Sequence, residues 1–184
     1  MKENLLIWVN DDDAEIGFGE KIETHKSGQL HRAFSVFIFD RKSKKMLIQK
    51  RSVEKYHSGG LWSNACCSHP YKGETWCDAL KRCMNTELGI NFSFSEQLSG
   101  IQYTGKFKYY SEYDGLSEHE IDYVFLYIPD DNIKDSIIFN RNEIEKLKWV
   151  SLGELDKWLK EKPEDFSSWF SKAYELVKSE ISEK

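Results

Sequence analysis

Runs of apolar and polar residues divide the chain into segments with the periodicity of strands and helices. Residues 34–39 (FSVFIF) and 46–49 (MLIQ) are rich in β-branched and aromatic side chains. A charged turn separates them, which predicts a β-hairpin. Residues 118–128 (EHEIDYVFLYI) and 146–150 (KLKWV) predict two further strands.

Helical periodicity lies between and after these strands. Residues 75–88 place apolar side chains at helical spacing and precede Gly89, a common C-terminal capping residue, which predicts a helix. Ser151 and Glu154 have the spacing of a capping box. A second apolar stripe follows, formed by Phe166, Trp169, Phe170, Ala173, Leu176 and Val177. Two helices are therefore expected to close the chain, and the order of elements predicts a mixed α/β (α+β) class in one domain over residues 1–184.

Composition limits the kinds of partner. The chain has 184 residues, 40% of them hydrophobic, which suffices for the core of one domain. Its net charge of −5 argues against general binding of nucleic acid or membrane surfaces. No apolar run approaches the roughly 20 residues that span a bilayer, and the N-terminal segment is unlike a signal peptide. We therefore expect a cytoplasmic protein, a monomer or weak dimer, that binds a small molecule.

All four cysteines lie within residues 66–83. This crowding is unlike a secreted disulfide framework, and a reducing compartment would keep the thiols free. In WSNACCSHP (residues 62–70), Cys67 precedes His69 by two positions. The motif fits half of a metal site, a reactive thiol or a buried turn. A structural zinc cluster is disfavoured because a second C-x-x-C pair is missing, but the residues alone leave the thiol and the buried turn open.

Histidines and carboxylates form a candidate metal site. His25, His31 and His69 lie in segments unlike core sequence. Glu118 and Glu120 are two positions apart on a predicted strand, so both side chains point to the same face and can reach one cation. Imidazole and carboxylate ligands suit Zn, Mn, Fe or Mg better than a soft thiolate site does.

Basic residues that could bind phosphate are spread along the chain at Lys21, Arg51, Lys55 and Arg82. If the fold brings them together, Arg offers bidentate contacts and Lys a point charge to phosphate oxygens. Glu87, on the same predicted helix as Arg82, could hold a Mg²⁺ that neutralises the remaining charge.

Several of these motifs occur together in one family. The matching segments are THKSGQLHRAFS, QKRSVEKYHSGGLWSNACCSHP, ETWCDALKRCMNTELGI, DGLSEHEIDY and FSSWF, which cover the chain almost from end to end. The chain resembles the type 1 isopentenyl-diphosphate isomerases of the Nudix superfamily. The resemblance implies a Nudix-like fold, a mixed β-sheet flanked by helices, and interconversion of isopentenyl diphosphate and dimethylallyl diphosphate in isoprenoid biosynthesis.

The resemblance also implies roles for individual residues. Cys67 and Glu120 are implied as catalytic residues, joined by Tyr109 from the three tyrosines of KFKYYSEYDG. The implied substrate-binding residues are Lys21, Arg51, Lys55, Arg82 and Trp169. The implied ligands of one divalent ion (Mn²⁺, Mg²⁺ or Zn²⁺) are His25, His31, His69, Glu118 and Glu120. Glu87 is implied to hold a Mg²⁺ bound to the diphosphate.

The implied reaction adds a proton at C4 and removes one at C2, through a tertiary carbocation. Cys67 and Glu120 are the two groups that face each other across the substrate, and which of them delivers the first proton is left open. The ring of Trp169 would stabilise the cation through its π face. The same residue also fits core packing, because it lies on the apolar stripe of the last predicted helix.

The Nudix box helps to distinguish an isomerase from the alternative functions. Its pattern G-x5-E-x7-R-E-apolar-x-E-E-x-G-apolar aligns with residues 68–90, where Ser68 replaces the first Gly and Cys83 and Thr86 replace two carboxylates. The matching positions are Glu74, Arg82, Met84, Glu87, Gly89 and Ile90. The loss at Cys83 removes a ligand that a hydrolytic magnesium cluster needs. This argues against the alternative of a Nudix diphosphate hydrolase, and the presence of Cys67 and Glu120 argues against an inactive binding scaffold.

Overall fold

The structure, a computed structural model, describes residues 4–55, 57–92, 100–130 and 133–182. The strands are β1 (Leu6–Val9), β2 (Glu15–Gly19), β3 (His31–Asp40), β4 (Lys45–Arg51), β5 (Trp62–Ser63), β6 (Cys66–Ser68), β7 (Ile101–Tyr113), β8 (Leu116–Tyr127) and β9 (Ile144–Ser151). The helices are α1 (Lys21–Ser27), α2 (Trp76–Leu88), α3 (Leu152–Glu161) and α4 (Phe170–Ser182), with a short 3-10 helix at Pro163–Asp165. No helix in the described ranges is long and apolar enough to cross a membrane.

Strand β3 organises the sheet. It pairs antiparallel with β1, β4 and β6 and parallel with β8, while β7 pairs with β8 and β9 with β4. The β3–β8 register places His31 opposite Glu120, and the β3–β6 register places Ser35 opposite Cys67. Because paired residues point to the same side of a sheet, three separate strands deliver side chains to one place.

Helices cover both faces of this sheet. On one face α2 packs over a core that includes Phe34, Val36, Ile38, Leu47, Leu80, Met84 and Leu88. On the other face α3 and α4 pack over Phe37, Phe39, Met46, Ile48, Leu155, Phe170, Ala173 and Val177. Alternate residues of β3 enter the two different cores. The sequence of β3 is therefore a continuous apolar run. Full burial of one such side chain, for example Phe37, stabilises the fold by about 1.5–3 kcal/mol.

The main elements predicted from periodicity are confirmed. The hairpin forms from β3 and β4, and the predicted strands correspond to β8 and β9. Helix α2 begins after Thr75, whose side chain accepts a hydrogen bond from the Asp78 backbone N–H, and it ends at Gly89. At the start of α3, Ser151 and Glu154 form the predicted capping box.

The last helix begins later than its apolar stripe suggested. Helix α4 starts at Phe170, so Phe166 and Trp169 precede it. The Ser167 N–H donates to the Trp62 carbonyl at 2.9 Å, and Phe166 forms an isolated parallel bridge with Trp62. These bonds to β5 compete with helix formation, and they leave Trp169 free of the helical stripe.

Replacing Gly89 by Ala should destabilise the protein. Gly89 has φ of +69°, and an added Cβ would lie 2.6 Å from the Ile138 carbonyl oxygen. We expect a loss of about 1–3 kcal/mol in the free energy of unfolding, measured by urea denaturation. Gly153→Ala is the matched control, because a Cβ there meets no atom within 4 Å and Ala favours a helix. Equal stability of the two variants would contradict this account of the α2 terminus.

Candidate active site

A cavity opens where β3, β6 and β8 meet the loop between β4 and β5. Its lining is mostly polar and contains most of the residues that the sequence singles out. The functional side chains among them are Lys21, Ser35, Arg51, Lys55, His57, Cys67, Ser68, His69, Tyr109, Glu118, Glu120, Asp122 and Trp169. Cations, carboxylates, imidazoles and a thiol thus share one cavity.

Three histidines and one carboxylate form a group beside this cavity, and two of its members, His69 and Glu120, line the cavity. The potential ligand atoms of His25, His31, His69 and Glu120 all lie within 4.8 Å of one another, and all four residues are buried. The distance from the Glu120 Oε1 to the histidine Nε2 atoms is 3.9 Å for His25, 3.3 Å for His31 and 3.0 Å for His69. Helix α1, strands β3 and β8 and the residue after β6 each contribute one member.

Backbone carbonyls fix the orientation of two of these rings. The Nδ1 of His25 lies 2.6 Å from the Lys21 carbonyl oxygen, and the Nδ1 of His31 lies 2.8 Å from that of Gln29. A carbonyl oxygen only accepts, so Nδ1 carries a proton, and Nε2 is the ring atom that faces Glu120. Burial lowers the pKa of His25, and it lowers the pKa of His69 to about 3. Neutral imidazoles beside a carboxylate are a donor set that fits a divalent metal.

Strand β8 places three carboxylates on this side of the sheet, and all are buried. Glu118 is 3% exposed and Glu120 4%. Glu118 lies next to the four-residue group but is engaged by other partners, with its Oε1 3.0 Å from the His57 Nε2. Asp122 accepts a hydrogen bond of 2.8 Å from the Ser35 hydroxyl. The three carboxylates of β8 therefore do not form a solvent-exposed acidic face.

The thiol of Cys67 also faces the cavity. An Nη1 of Arg51 lies 3.4 Å from its sulfur. Burial of the sulfur raises the pKa of the thiol, and the nearby Arg51 charge offsets this only in part. The resting form is therefore the protonated thiol. Cys66 is fully buried in the core under α2.

The pKa of Glu120 is shifted downward, whereas that of Cys67 is raised. Burial opposes the ionisation of Glu120, but the neighbouring imidazoles of His31 and His69 outweigh that cost and hold its pKa well below the usual range. The hydroxyl of Tyr109 donates to its Oε2 at 2.5 Å. The β7–β8 register explains the choice of tyrosine, because Tyr109 pairs with Glu120 while Tyr110 pairs with His119 on the opposite side.

Three of the four predicted phosphate-binding cations reach the cavity. Lys21, Arg51 and Lys55 line it. The Nζ of Lys55 pairs with the Glu143 Oε2 at 2.5 Å, and the Arg51 guanidinium lies 5.2 Å from the ring centroid of Trp169. Trp169 is 2% exposed and its Nε1 donates to Asn64 at 3.0 Å. It therefore packs in the interior and also forms part of the cavity wall.

Known proteins share both this sequence and this fold. Residues 29–170 match the NUDIX domain family. The isopentenyl-diphosphate Delta-isomerase 2 of Aromatoleum aromaticum is 40% identical, over 95% of this chain and 87% of the relative. An isopentenyl-diphosphate Delta-isomerase of Aliivibrio fischeri is also 40% identical, over 94% and 93% of the two chains. The chain belongs to the isopentenyl-diphosphate Delta-isomerase family.

Solved structures confirm the predicted Nudix fold. DR0079 from Deinococcus radiodurans superposes with a TM-score of 0.67 at 17% identity, covering 95% of this chain and 98% of its own. A MutT protein from Methanosarcina mazei gives 0.59 at 17% identity, covering 83% and 95%. At this level of identity the likeness shows the fold alone.

Arg82 has a different position from the other cations of this isomerase-family chain. Its side chain does not line the cavity formed by the described residues. Its guanidinium binds both carboxylate oxygens of Glu74, at 2.7 and 2.9 Å, and donates to the His69 carbonyl at 2.8 Å. Through these bonds Arg82 braces the segment that carries Cys67 and His69. Its contact with substrate stays a prediction.

Glu87 lies behind the cavity wall of the isomerase-family site. It is buried, its Oε2 accepts from Gln49 at 3.0 Å, and its Oε1 lies 3.6 Å from the Cys83 sulfur. Burial raises the pKa of Glu87. Cys83 thus occupies the position one turn before Glu87 where the Nudix box has a carboxylate, while the replaced position at Thr86 is exposed to solvent.

The sequence patterns did not indicate His57, which lines the cavity, or Tyr113, which contacts a cavity residue. His57 lines the cavity and contacts Glu118, and Tyr113 donates to the same carboxylate at 3.1 Å. The available signal was the position of His57 two residues after Lys55 in a loop rich in site residues. Tyr113 carried a weaker signal, since it ends a strand that the periodicity did not reveal.

Metal binding should stabilise the protein through His31. At a free Mn²⁺ concentration of roughly 100 times Kd, we expect about 2.7 kcal/mol of stabilisation, seen as a higher Tm that chelator reverses. His31→Gln should lose this metal-dependent shift because it removes a ligand from the buried group. His119→Gln is the control, since His119 contacts the Gly28 carbonyl instead. An unchanged shift in His31→Gln would contradict the assigned group.

Proposed function

We propose that this chain interconverts isopentenyl diphosphate and dimethylallyl diphosphate by moving protons through a tertiary carbocation. The observation that carries the proposal is the cavity itself, where the Cys67 thiol and the Glu120 carboxylate share one space beside the buried His25, His31 and His69. The isomerase relatives support the same reaction over nearly the whole chain.

Cys67 and Glu120 are the two proton-transfer groups in this proposal. A 1,3-shift of a double bond needs one group that gives a proton at C4 and another that takes one from C2. The two groups rest in complementary states, because burial keeps Cys67 protonated while His31 and His69 keep Glu120 ionised. The reverse reaction exchanges their roles, so the same pair serves both directions.

The cations and aromatic rings hold the substrate around these groups. Lys21, Arg51 and Lys55 provide positive charge for the diphosphate at one side of the cavity. Trp169 offers a π face to the carbocation, and an aromatic wall stabilises positive charge without supplying a nucleophile that would trap it. Tyr109 acts as a positioning residue by donating to the Glu120 carboxylate.

His25, His31, His69 and Glu120, with Glu118 beside them, would hold one divalent ion. Mn²⁺, Mg²⁺ and Zn²⁺ all suit imidazole and carboxylate ligands, and we propose one of these for the site. When bound, such an ion supplies positive charge that shifts the acidity of neighbouring groups. Glu87 would serve a separate Mg²⁺ that accompanies the diphosphate.

Replacement of box carboxylates disfavours the hydrolase alternative. Hydrolysis of a diphosphate requires several carboxylates to organise magnesium and water. In this chain Cys83 faces Glu87 within the core, so the thiol stands where a second acidic ligand would be needed. Isomerisation requires only that the diphosphate be held.

We further propose a setting for this reaction. The four free cysteines fit the cytoplasm, where a reducing environment keeps the Cys67 thiol available. The net charge of −5 makes nucleic acid and membrane surfaces unsuitable partners. We propose a single domain that works as a monomer or weak dimer.

Product analysis tests the function directly. Purified protein loaded with Mn²⁺ and Mg²⁺ is incubated with isopentenyl diphosphate, and proton and phosphorus NMR follow the products. We expect dimethylallyl diphosphate with both phosphates retained. A nucleoside diphosphate compound offered in parallel should remain intact. Release of phosphate or a monophosphate without isomerisation would instead favour the hydrolase.

A further inference from the structure

His57 lies at the centre of a closed set of contacts around Glu118. Its Nε2 is 3.0 Å from the Glu118 Oε1, and the Tyr113 hydroxyl donates to the Glu118 Oε2 at 3.1 Å. Ser58, next to His57, donates its hydroxyl to Tyr113 at 3.1 Å, which completes the ring. His57, Ser58 and Glu118 are all at most 9% exposed.

This ring joins separate parts of the fold. His57 comes from the loop between β4 and β5, which also carries Lys55. Tyr113 and Glu118 flank the turn between β7 and β8. The Tyr113 hydroxyl lies a further 3.1 Å from the Ser168 hydroxyl, next to Trp169. Two side chains thus hold the Glu118 carboxylate beside the histidine group, and Ser58 and Ser168 in turn contact one of them, Tyr113.

We propose that His57 is a positioning residue that, together with Tyr113, orients Glu118 as an additional ligand of the divalent metal. The inference rests on the metal site of the proposed function and extends it to two residues that would act on the ion through Glu118. Its basis is the contact ring, in which each oxygen of Glu118 meets one hydrogen-bond partner.

The hydrogen bonds from His57 and Tyr113 do not use all the acceptor sites of the Glu118 carboxylate. An ionised carboxylate has about four lone-pair sites on its two oxygens, so two hydrogen bonds leave acceptor capacity for an ion. Fixing the carboxylate also reduces the side-chain entropy that binding would otherwise cost. Outer partners of this kind typically account for about 10-fold to 100-fold in metal affinity.

The test measures Mn²⁺ affinity of metal-free protein by electron paramagnetic resonance and calorimetry. His57→Phe keeps a ring in place but removes the donor, and Tyr113→Phe removes the other donor. We expect each to raise the Kd for Mn²⁺ by about 10-fold to 100-fold. His57→Gln retains an N–H donor and should recover much of the affinity. A merely structural His57 would not distinguish Phe from Gln in this way.

Tyr110→Phe is the matched control, because Tyr110 is 56% exposed on the same strand and its hydroxyl donates to Glu112. It should bind Mn²⁺ like the wild type. A wild-type Kd in folded His57→Phe or, if that variant fails to fold, in Tyr113→Phe overturns the inference alone. A wild type that isomerises substrate but binds no Mn²⁺ overturns the metal site and this inference, while leaving the proposed reaction standing.

Discussion

The parallel pairing of β3 with β8 is the constraint on which the site depends. Its register puts His31 opposite Glu120 and Phe34 opposite Tyr123. A slip of one residue would turn Glu120 into the opposite face and move the apolar residues of β8 out of the core. Burial of Phe37 and Val124 on one face and Phe34 and Phe125 on the other prevents that slip. The hydrophobic core therefore holds the polar constellation in place.

This arrangement has a cost in stability, because Glu118, Glu120 and Asp122 all lie in the interior. Burying carboxylates in succession along one strand destabilises a protein unless each finds compensation. Here each has its own partner: His57 for Glu118, the histidine group for Glu120 and Ser35 for Asp122. The different partners give the carboxylates different acidities, because burial raises the pKa of Glu118 and Asp122 while the neighbouring imidazoles lower that of Glu120.

Hydrophobic periodicity was sufficient to predict the elements that have a clear apolar face. Helix α2 and the β3–β4 hairpin follow directly from it. Strand β7 was not predicted, because both its faces are partly exposed along most of its length and its order comes from pairing with β8. Phe166 and Trp169 have helical spacing, yet Phe166 is extended and bridged to Trp62, and Trp169 lies in the turn before α4. Such tertiary competition is invisible in a local pattern.

Site residues likewise differ in how far the sequence alone identified them. The spacing of Glu118 and Glu120 on a strand identified a shared face, whereas His57 acquires its place only through loop geometry. Arg82 carries the charge expected of a phosphate ligand, but its side chain reaches Glu74 and the His69 carbonyl instead. The type of residue is readable from sequence, and the direction of a long side chain depends on what the fold puts beside it.

The central claim is that Cys67 and Glu120 carry the two proton transfers. The most direct measurement follows deuterium entering the methyl group of dimethylallyl diphosphate when isopentenyl diphosphate turns over in deuterated water. Wild-type protein should label that methyl group, and Cys67→Ala and Glu120→Gln should each slow labelling by roughly 100-fold to 10,000-fold while keeping a native circular dichroism spectrum. Labelling at the wild-type rate in Cys67→Ala would contradict the account.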